Sequence, residues 1–226
     1  MIRNIIFDWS GTLVDDLPAV LAATNFVFDQ CGVEKMSLEK FRAEFCLPFK
    51  LFYDRFVPHV PLARLEWLFH AHFRQVQEAV AALPHALGFL RFCRERRVRT
   101  FILSTVHQDY FPVQAGACGL DRLIDRAYVG IWDKRAKIAE VLAENHLDPR
   151  ETLFVGDMQH DIETARHGGV HSCGVLTGYN RLEQLRASQP DLIVEHLGQL
   201  REILERHGFQ LPPAGRPLRQ GVQPGP

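Results

Sequence analysis

Two short apolar runs, far apart in the chain, each break off at an aspartate followed by turn-forming residues. Ile2 to Phe7 runs into Asp8-Trp9-Ser10-Gly11-Thr12, and Thr152 to Val155 runs into Gly156-Asp157. Runs of this length, rich in β-branched and aromatic residues and bounded by glycine, read as buried strands. Buried on both faces, such strands belong to a parallel sheet whose chemistry gathers at the strand C-termini.

The stretches between agree. Amphipathic helix spacing over Ala86–Arg96 precedes an apolar run at Thr100–Leu103, and a helix is expected to begin near Gln108. A third strand fits Ala127–Val129. Helix over Lys134–Asn145, strand over Thr152–Val155, helix over His160–His167 and a final strand near Cys173–Leu176 complete the series. Alternation at this spacing predicts an α/β fold, a Rossmann-like doubly wound parallel sheet.

One stretch departs from that alternation. Between Leu17 and Leu83, Ala19–Gln30, Leu38–Phe45, Phe49–Phe56 and Leu62–Ala82 carry apolar residues at helical spacing, and no strand is convincing. The expected organisation is therefore a core over 1–15 and 84–210, with a small helical domain inserted at 16–83. From 211 to 226 prolines and glycines recur, and the tail is expected to be disordered.

Charge narrows the choice of partners. With 26 Lys and Arg against 27 Asp and Glu, the chain presents no net field for nucleic acid or an anionic membrane. The five cysteines are odd in number, scattered and free of C-x-x-C spacing, which argues against a disulfide framework or a zinc site. No segment approaches the roughly 20 apolar residues of a membrane helix, so the cytoplasm is the expected location. Oligomeric state is not legible.

Asp8-Trp9-Ser10-Gly11-Thr12-Leu13-Val14-Asp15 resembles the first motif of the haloacid dehalogenase superfamily, and Gly156-Asp157-Met158-Gln159-His160-Asp161 resembles its acidic fourth motif. Residue by residue, the resemblance implies Asp8 as a nucleophile that forms a covalent intermediate. It implies Mg²⁺ held by Asp8, the Ser10 carbonyl and Asp157, with Asp161 as an outer ligand or orienting group. Ser104 and Thr105, ending the Phe101–Leu103 strand, and the backbone of Gly11 would receive phosphoryl oxygens. Lys134 would supply a cation between nucleophile and phosphate, with Lys137 as the alternative one turn on. Residues 16–83 would be a C1-type cap, and the implied partner is a small phosphorylated metabolite.

Taken singly, each of these residues has a blander reading. An aspartate before a turn is commonly a cap, and a lone lysine is commonly a solvated charge. Their order, at the ends of apolar strands, is what the blander readings leave unexplained.

Ser10 departs from the family pattern, in which a second aspartate protonates the leaving oxygen and then activates water. A hydroxyl orients water but does not carry the proton as a carboxylate does. Three readings follow. In the first, the protein is a phosphatase, slowed at this step, with Ser10, a substrate group or a nearby histidine, His107 or His160, partly replacing the carboxylate. The second is a carbon–phosphorus hydrolase resembling phosphonoacetaldehyde hydrolase, with Lys50 forming an imine. The third is a regulatory descendant that binds phosphorylated ligands without turnover. Lys50 and Phe49, at the start of an inserted helix, are the candidate specificity residues, with Arg55 as a weaker one.

Overall fold

The computed structural model describes residues 1–212. The tail expected to be disordered thus lies, from residue 213 on, outside the described residues.

Six parallel strands form one sheet in the order β5-β4-β1-β6-β7-β8. They are β1 (Asn4–Phe7), β4 (Arg99–Leu103), β5 (Arg126–Tyr128), β6 (Thr152–Gly156), β7 (His171–Val175) and β8 (Leu192–Val194). β1 lies between β4 and β6, with Phe7 in register with Ile102 on one side and Val155 on the other. Because alternate residues face opposite ways, Ile5 and Phe7 enter one apolar cluster and Ile6 enters another, with Phe101, Leu103 and Phe154. Both faces are covered, which is why Ile5–Phe7 reads as an unbroken apolar run.

Helices α5 (Ala86–Glu95), α6 (Phe111–Ala117) and the last helix, Leu197–Arg206, contribute to the first cluster. Helices α7 (Lys134–Glu144) and α8 (Gln159–Gly168) cover the other face through Ile138, Val141, Leu142 and Ala165. The chain leaves β1 towards one half of the sheet and later returns beside it as β6. That reversal opens a crevice at the C-terminal ends of β1, β4 and β6, the place where doubly wound sheets hold ligands.

Between β1 and α5 stand α1 (Leu17–Gln30), α2 (Leu38–Glu44), α3 (Phe49–Phe56) and α4 (Leu62–Val76). α1 opens with Pro18 in its first turn, and Ser37 caps α2 by accepting from the Lys40 amide at 3.2 Å. These helices build their own apolar cluster, with Val27, Phe28, Phe41, Phe52 and Leu65 at its centre. Met158 and Tyr179, from loops at the sheet end, join that cluster.

Three expectations need correction. The helix expected over Leu62–Ala82 stops at Val76, passes through a 3₁₀ turn and ends in a short strand, β3 (Ala81–Ala82). This strand pairs antiparallel with β2 (Val14–Asp15), where no strand was expected. Two-residue strands carry no periodicity to detect, and the pairing stops the helix before Pro84. The strand near Cys173–Leu176 is also not the last, since β8 extends the sheet beyond it. Among the described residues no helix is long and apolar enough to cross a membrane.

Candidate active site

Asp8 follows β1, Asp157 follows β6, Asp161 stands in the first turn of α8, and Lys134 opens α7. One carboxylate oxygen from each of Asp8, Asp157 and Asp161 lies within 4.8 Å of the others. All three residues are buried, as is Lys134. The Lys134 Nζ donates to Asp8 Oδ1 at 2.6 Å and to Asp161 Oδ1 at 2.7 Å. Lys137 pairs with Glu140 instead, on the outer face of α7, so the cation that meets the carboxylates is Lys134.

Each group is fixed by a second contact. Asp157 Oδ1 accepts from the Thr12 hydroxyl at 3.0 Å, and its Oδ2 accepts from the Tyr179 amide at 2.7 Å. Asp161 Oδ2 accepts from the Met158 amide at 3.0 Å, closing the first turn of α8. Asp133 caps α7, accepting from the Arg135 amide at 3.0 Å, and thereby sets where Lys134 begins.

Glycine is required beside this cluster. Gly11 has φ +72°, and a Cβ there would stand 2.7 Å from Asp157 Oδ2 and 2.8 Å from the Gly178 Cα. A Cβ at Gly156 would collide with the Asp161 carboxyl.

Three buried carboxylates face a single ammonium, and the electrostatics follow. Burial raises the Asp8 carboxyl above its ordinary value against the pull of Lys134. Asp157 is pushed up further, by burial and then by Asp8 and Asp161. For Lys134, burial alone favours the neutral amine, but Asp161 and Asp8 outweigh it and hold the ammonium.

The remaining expected residues fall into two groups. Ser10, Thr105, His107 and Phe49 line a cavity that also exposes Asp8. Ser104, fully buried at the end of β4, accepts from the Val106 amide at 3.3 Å. His160 stands behind the site: its Nε2 accepts from the Lys134 amide at 3.3 Å, and burial lowers its imidazole to about 4. It thus positions the start of α7 and does not line the cavity. Lys50, expected to meet substrate, is exposed, pairs with Asp54 at 2.5 Å and lies outside the cavity lining. One residue along α3 turns its side chain about 100° from that of Phe49.

Sequence reasoning missed Asp16 and the loop after β7. Asp16 is buried, lines the cavity, accepts from the Tyr179 hydroxyl at 3.1 Å and stands beside the Ser10 hydroxyl. Burial raises its carboxyl to about 7. The available signal was the doubled acid Asp15-Asp16, of which only the first was read. In the loop, Thr177 donates to the Gly11 carbonyl at 2.7 Å, and Asn180 accepts from the Gln159 amide at 2.7 Å. Its signal was Thr177-Gly178-Tyr179-Asn180 directly after an apolar strand.

A doubly wound sheet with an acidic cluster tied by one buried lysine at its reversal point defines an α/β protein whose polar site lies at the strand C-termini. The chain belongs to the haloacid dehalogenase-like hydrolase family, whose sequence model matches residues 5–175. It is 29% identical over 198 residues to the phosphoglycolate phosphatase of Synechococcus elongatus, covering 85% of this chain and 92% of that one. It is 26% identical over 218 residues to the 5'-nucleotidase of Pseudomonas aeruginosa, covering 90% and 96%. Among solved structures, CbbY from Rhodobacter sphaeroides in complex with phosphate superposes with a TM-score of 0.75 at 19% identity, covering 88% and 96%.

Proposed function

We propose that this protein is a Mg²⁺-dependent phosphatase that acts on a small phosphorylated metabolite through an aspartyl-phosphate on Asp8. The observation that carries the reading is Asp8 itself, a carboxylate held by Lys134 at 2.6 Å at the end of a central strand while still reaching a cavity. Relatives named as a phosphoglycolate phosphatase and a 5'-nucleotidase support phosphate esters as the substrate class. Five free cysteines fit the expected cytoplasmic location.

The donor set suits magnesium. Asp8, Asp157 and Asp161 offer hard carboxylate oxygens, and one ammonium leaves their combined charge unmatched in a buried cluster. Asp8, Asp157 and the Ser10 carbonyl are the proposed ligands, with Asp161 orienting. When bound, the ion offsets the repulsion between Asp8 and an anionic ester.

In the proposed cycle the Asp8 oxygen not held by Lys134 attacks phosphorus in line. The bond to the leaving oxygen breaks, and the phosphoryl group stays on Asp8. Lys134, Ser104 and Thr105 hold the phosphoryl oxygens, whereas the Gly11 amide, expected to join them, donates to the Val14 carbonyl at 2.8 Å. Water then attacks phosphorus, inorganic phosphate departs and the Asp8 carboxylate is restored.

The proton the leaving oxygen takes up, and later the one water gives up, needs a carrier that Ser10 alone does not supply. Asp16 is assigned that role through the Ser10 hydroxyl. The support is positional, because Asp16 lies beside Ser10 and lines the same cavity. We also read residues 16–83 as a cap over the core of 1–15 and 84–210, on the strength of the separate apolar cluster of α1–α4. The imine reading has no support at Lys50, whose amine is engaged with Asp54.

The test is phosphate release from a panel of phosphate esters with Mg²⁺ and with chelator, combined with intact-mass analysis of quenched enzyme. Phosphate release that needs Mg²⁺ and disappears in Asp8→Asn, with one phosphoryl group trapped on Asp8, is the expected result. Undiminished turnover in Asp8→Asn overturns the mechanism, and ligand binding without turnover across the panel favours a regulatory role.

A further inference from the structure

The cavity beside Asp8 has a volume of about 600 Å³. That lies within the range of roughly 300–1,000 Å³ that holds drug-sized ligands, more room than a two-carbon phosphate ester fills. Aromatic rings form much of its wall: Phe45, Phe49 and Tyr53 from the α2–α3 region, Phe69 and Phe73 from α4, and Trp132 from the loop before α7. Phe49 and Trp132 meet across it with ring centroids 4.9 Å apart.

Its charge is one-sided. Asp8, Asp16 and Glu66 line the cavity, and among the described lining residues there is no lysine or arginine. The neighbouring cations are engaged elsewhere: Lys134 between Asp8 and Asp161, Lys50 with Asp54, and Arg55 with Glu44. Arg74 lies against Tyr110 and outside the lining. His107 has Asp109 at 3.6 Å, and the His70 Nδ1 shares a hydrogen bond with the Tyr110 hydroxyl at 2.9 Å.

We propose that the substrate is a phosphomonoester whose alcohol portion is apolar or aromatic and carries no second negative charge. This rests on the phosphatase reading and specifies its substrate class. A second anionic group, such as the carboxylate of phosphoglycolate or the far phosphate of pyrophosphate, would lie away from the reacting end beside Glu66 and the ring wall, with no lysine or arginine of the lining to pair it, which is unfavourable. An aromatic alcohol would instead bury its face against the ring wall, a contact favourable in area and in geometry. The chain thus departs from the substrate in the name of its phosphoglycolate phosphatase relative.

The experiment compares kcat/KM of the full-length protein with Mg²⁺ for phenyl and 1-naphthyl phosphate against 2-phosphoglycolate and pyrophosphate. It is paired with calorimetric binding of 1-naphthyl phosphate and 2-phosphoglycolate. The expected result is a preference of at least about tenfold for the aromatic esters in both readouts. Glu66→Lys, which places a cation in the lining, should move the ratio towards 2-phosphoglycolate by about tenfold. If 2-phosphoglycolate or pyrophosphate is turned over as well as the aromatic esters, the substrate assignment fails while the phosphatase reading stands. If nothing is hydrolysed, the phosphatase reading fails and binding decides this inference: equal or tighter binding of 2-phosphoglycolate overturns it. An unchanged ratio in Glu66→Lys overturns the charge argument beneath it.

Discussion

Lys134 and Asp8 stand 126 positions apart in the chain, yet their side chains meet at 2.6 Å in the buried centre of the site. The same ammonium holds Asp161 at 2.7 Å, so one lysine ties the end of β1 to the first turn of α8. Removing it leaves two buried carboxylates without their counter-charge.

Lys134→Met is therefore expected to cost about 3–5 kcal/mol of stability, the usual consequence of breaking a buried ion pair by removing one member. Phosphatase turnover should fall by about 10²–10³ as well, if Lys134 has its proposed role towards the phosphoryl group. Urea unfolding and steady-state kinetics measure the two effects. Lys137→Met, on the outer face of α7, should alter neither by more than about 0.5 kcal/mol or a few-fold.

Ser10→Asp should raise hydrolysis of phosphate esters, because a positioned carboxylate contributes about 10²–10⁴ where proton transfer limits the rate. Asp16→Asn should lower it by a similar factor. If the two groups share one task, Asp16→Asn will matter far less in the Ser10→Asp background than in the parent. Additive effects in that double-mutant cycle would separate Asp16 from the chemistry.

Gly11→Ala combines a positive φ with a Cβ that meets Asp157 and Gly178. Strain of about 1–3 kcal/mol is expected, read as a lowered urea midpoint, together with loss of most activity as Asp157 is displaced. Gly119, also at positive φ but with open space around it, should tolerate alanine with only the backbone penalty.

His70 should titrate below its ordinary value of 6.5, because burial, then His107 and Arg74, disfavour the imidazolium more than Asp109 favours it. A group depressed in the folded state contributes stability above the unfolded value and loses it as pH falls towards the folded one. Acidification below about 6.5 should therefore weaken the protein through this residue, and His70→Gln should flatten that part of the stability–pH curve. An NMR titration with a midpoint above 6.5 would contradict the assignment.

Much of this arrangement was legible because the central strands are covered on both faces. Ile5–Phe7, Phe101–Leu103 and Leu153–Val155 appear in the sequence as continuous apolar runs, and their ends announce the edge of the sheet at which Asp8, Ser104 and Asp157 stand. Spacing alone did not separate Lys134 from Lys137, since both lie on α7; the Asp133 cap settles which one begins the helix. Lys50 was misplaced for the complementary reason, because the rotation of a short helix about its axis is set by packing that a linear pattern does not record. Asp16 was overlooked because its role depends on Tyr179 and Ser10, contacts made only after folding. β2, β3 and β8 are too short to leave a period.

The pairing of Val14 with Ala82 means that the helical segment departs from and rejoins the sheet through two backbones lying side by side, about 5 Å apart. Leu83 adds a hydrogen bond to the Leu13 carbonyl at 2.9 Å, fastening the same doorway. A replacement of any length that bridges this narrow gap would hand the chain back at the same point. The helical segment is in this sense exchangeable, while the sheet that carries Asp8 and Asp157 keeps its register.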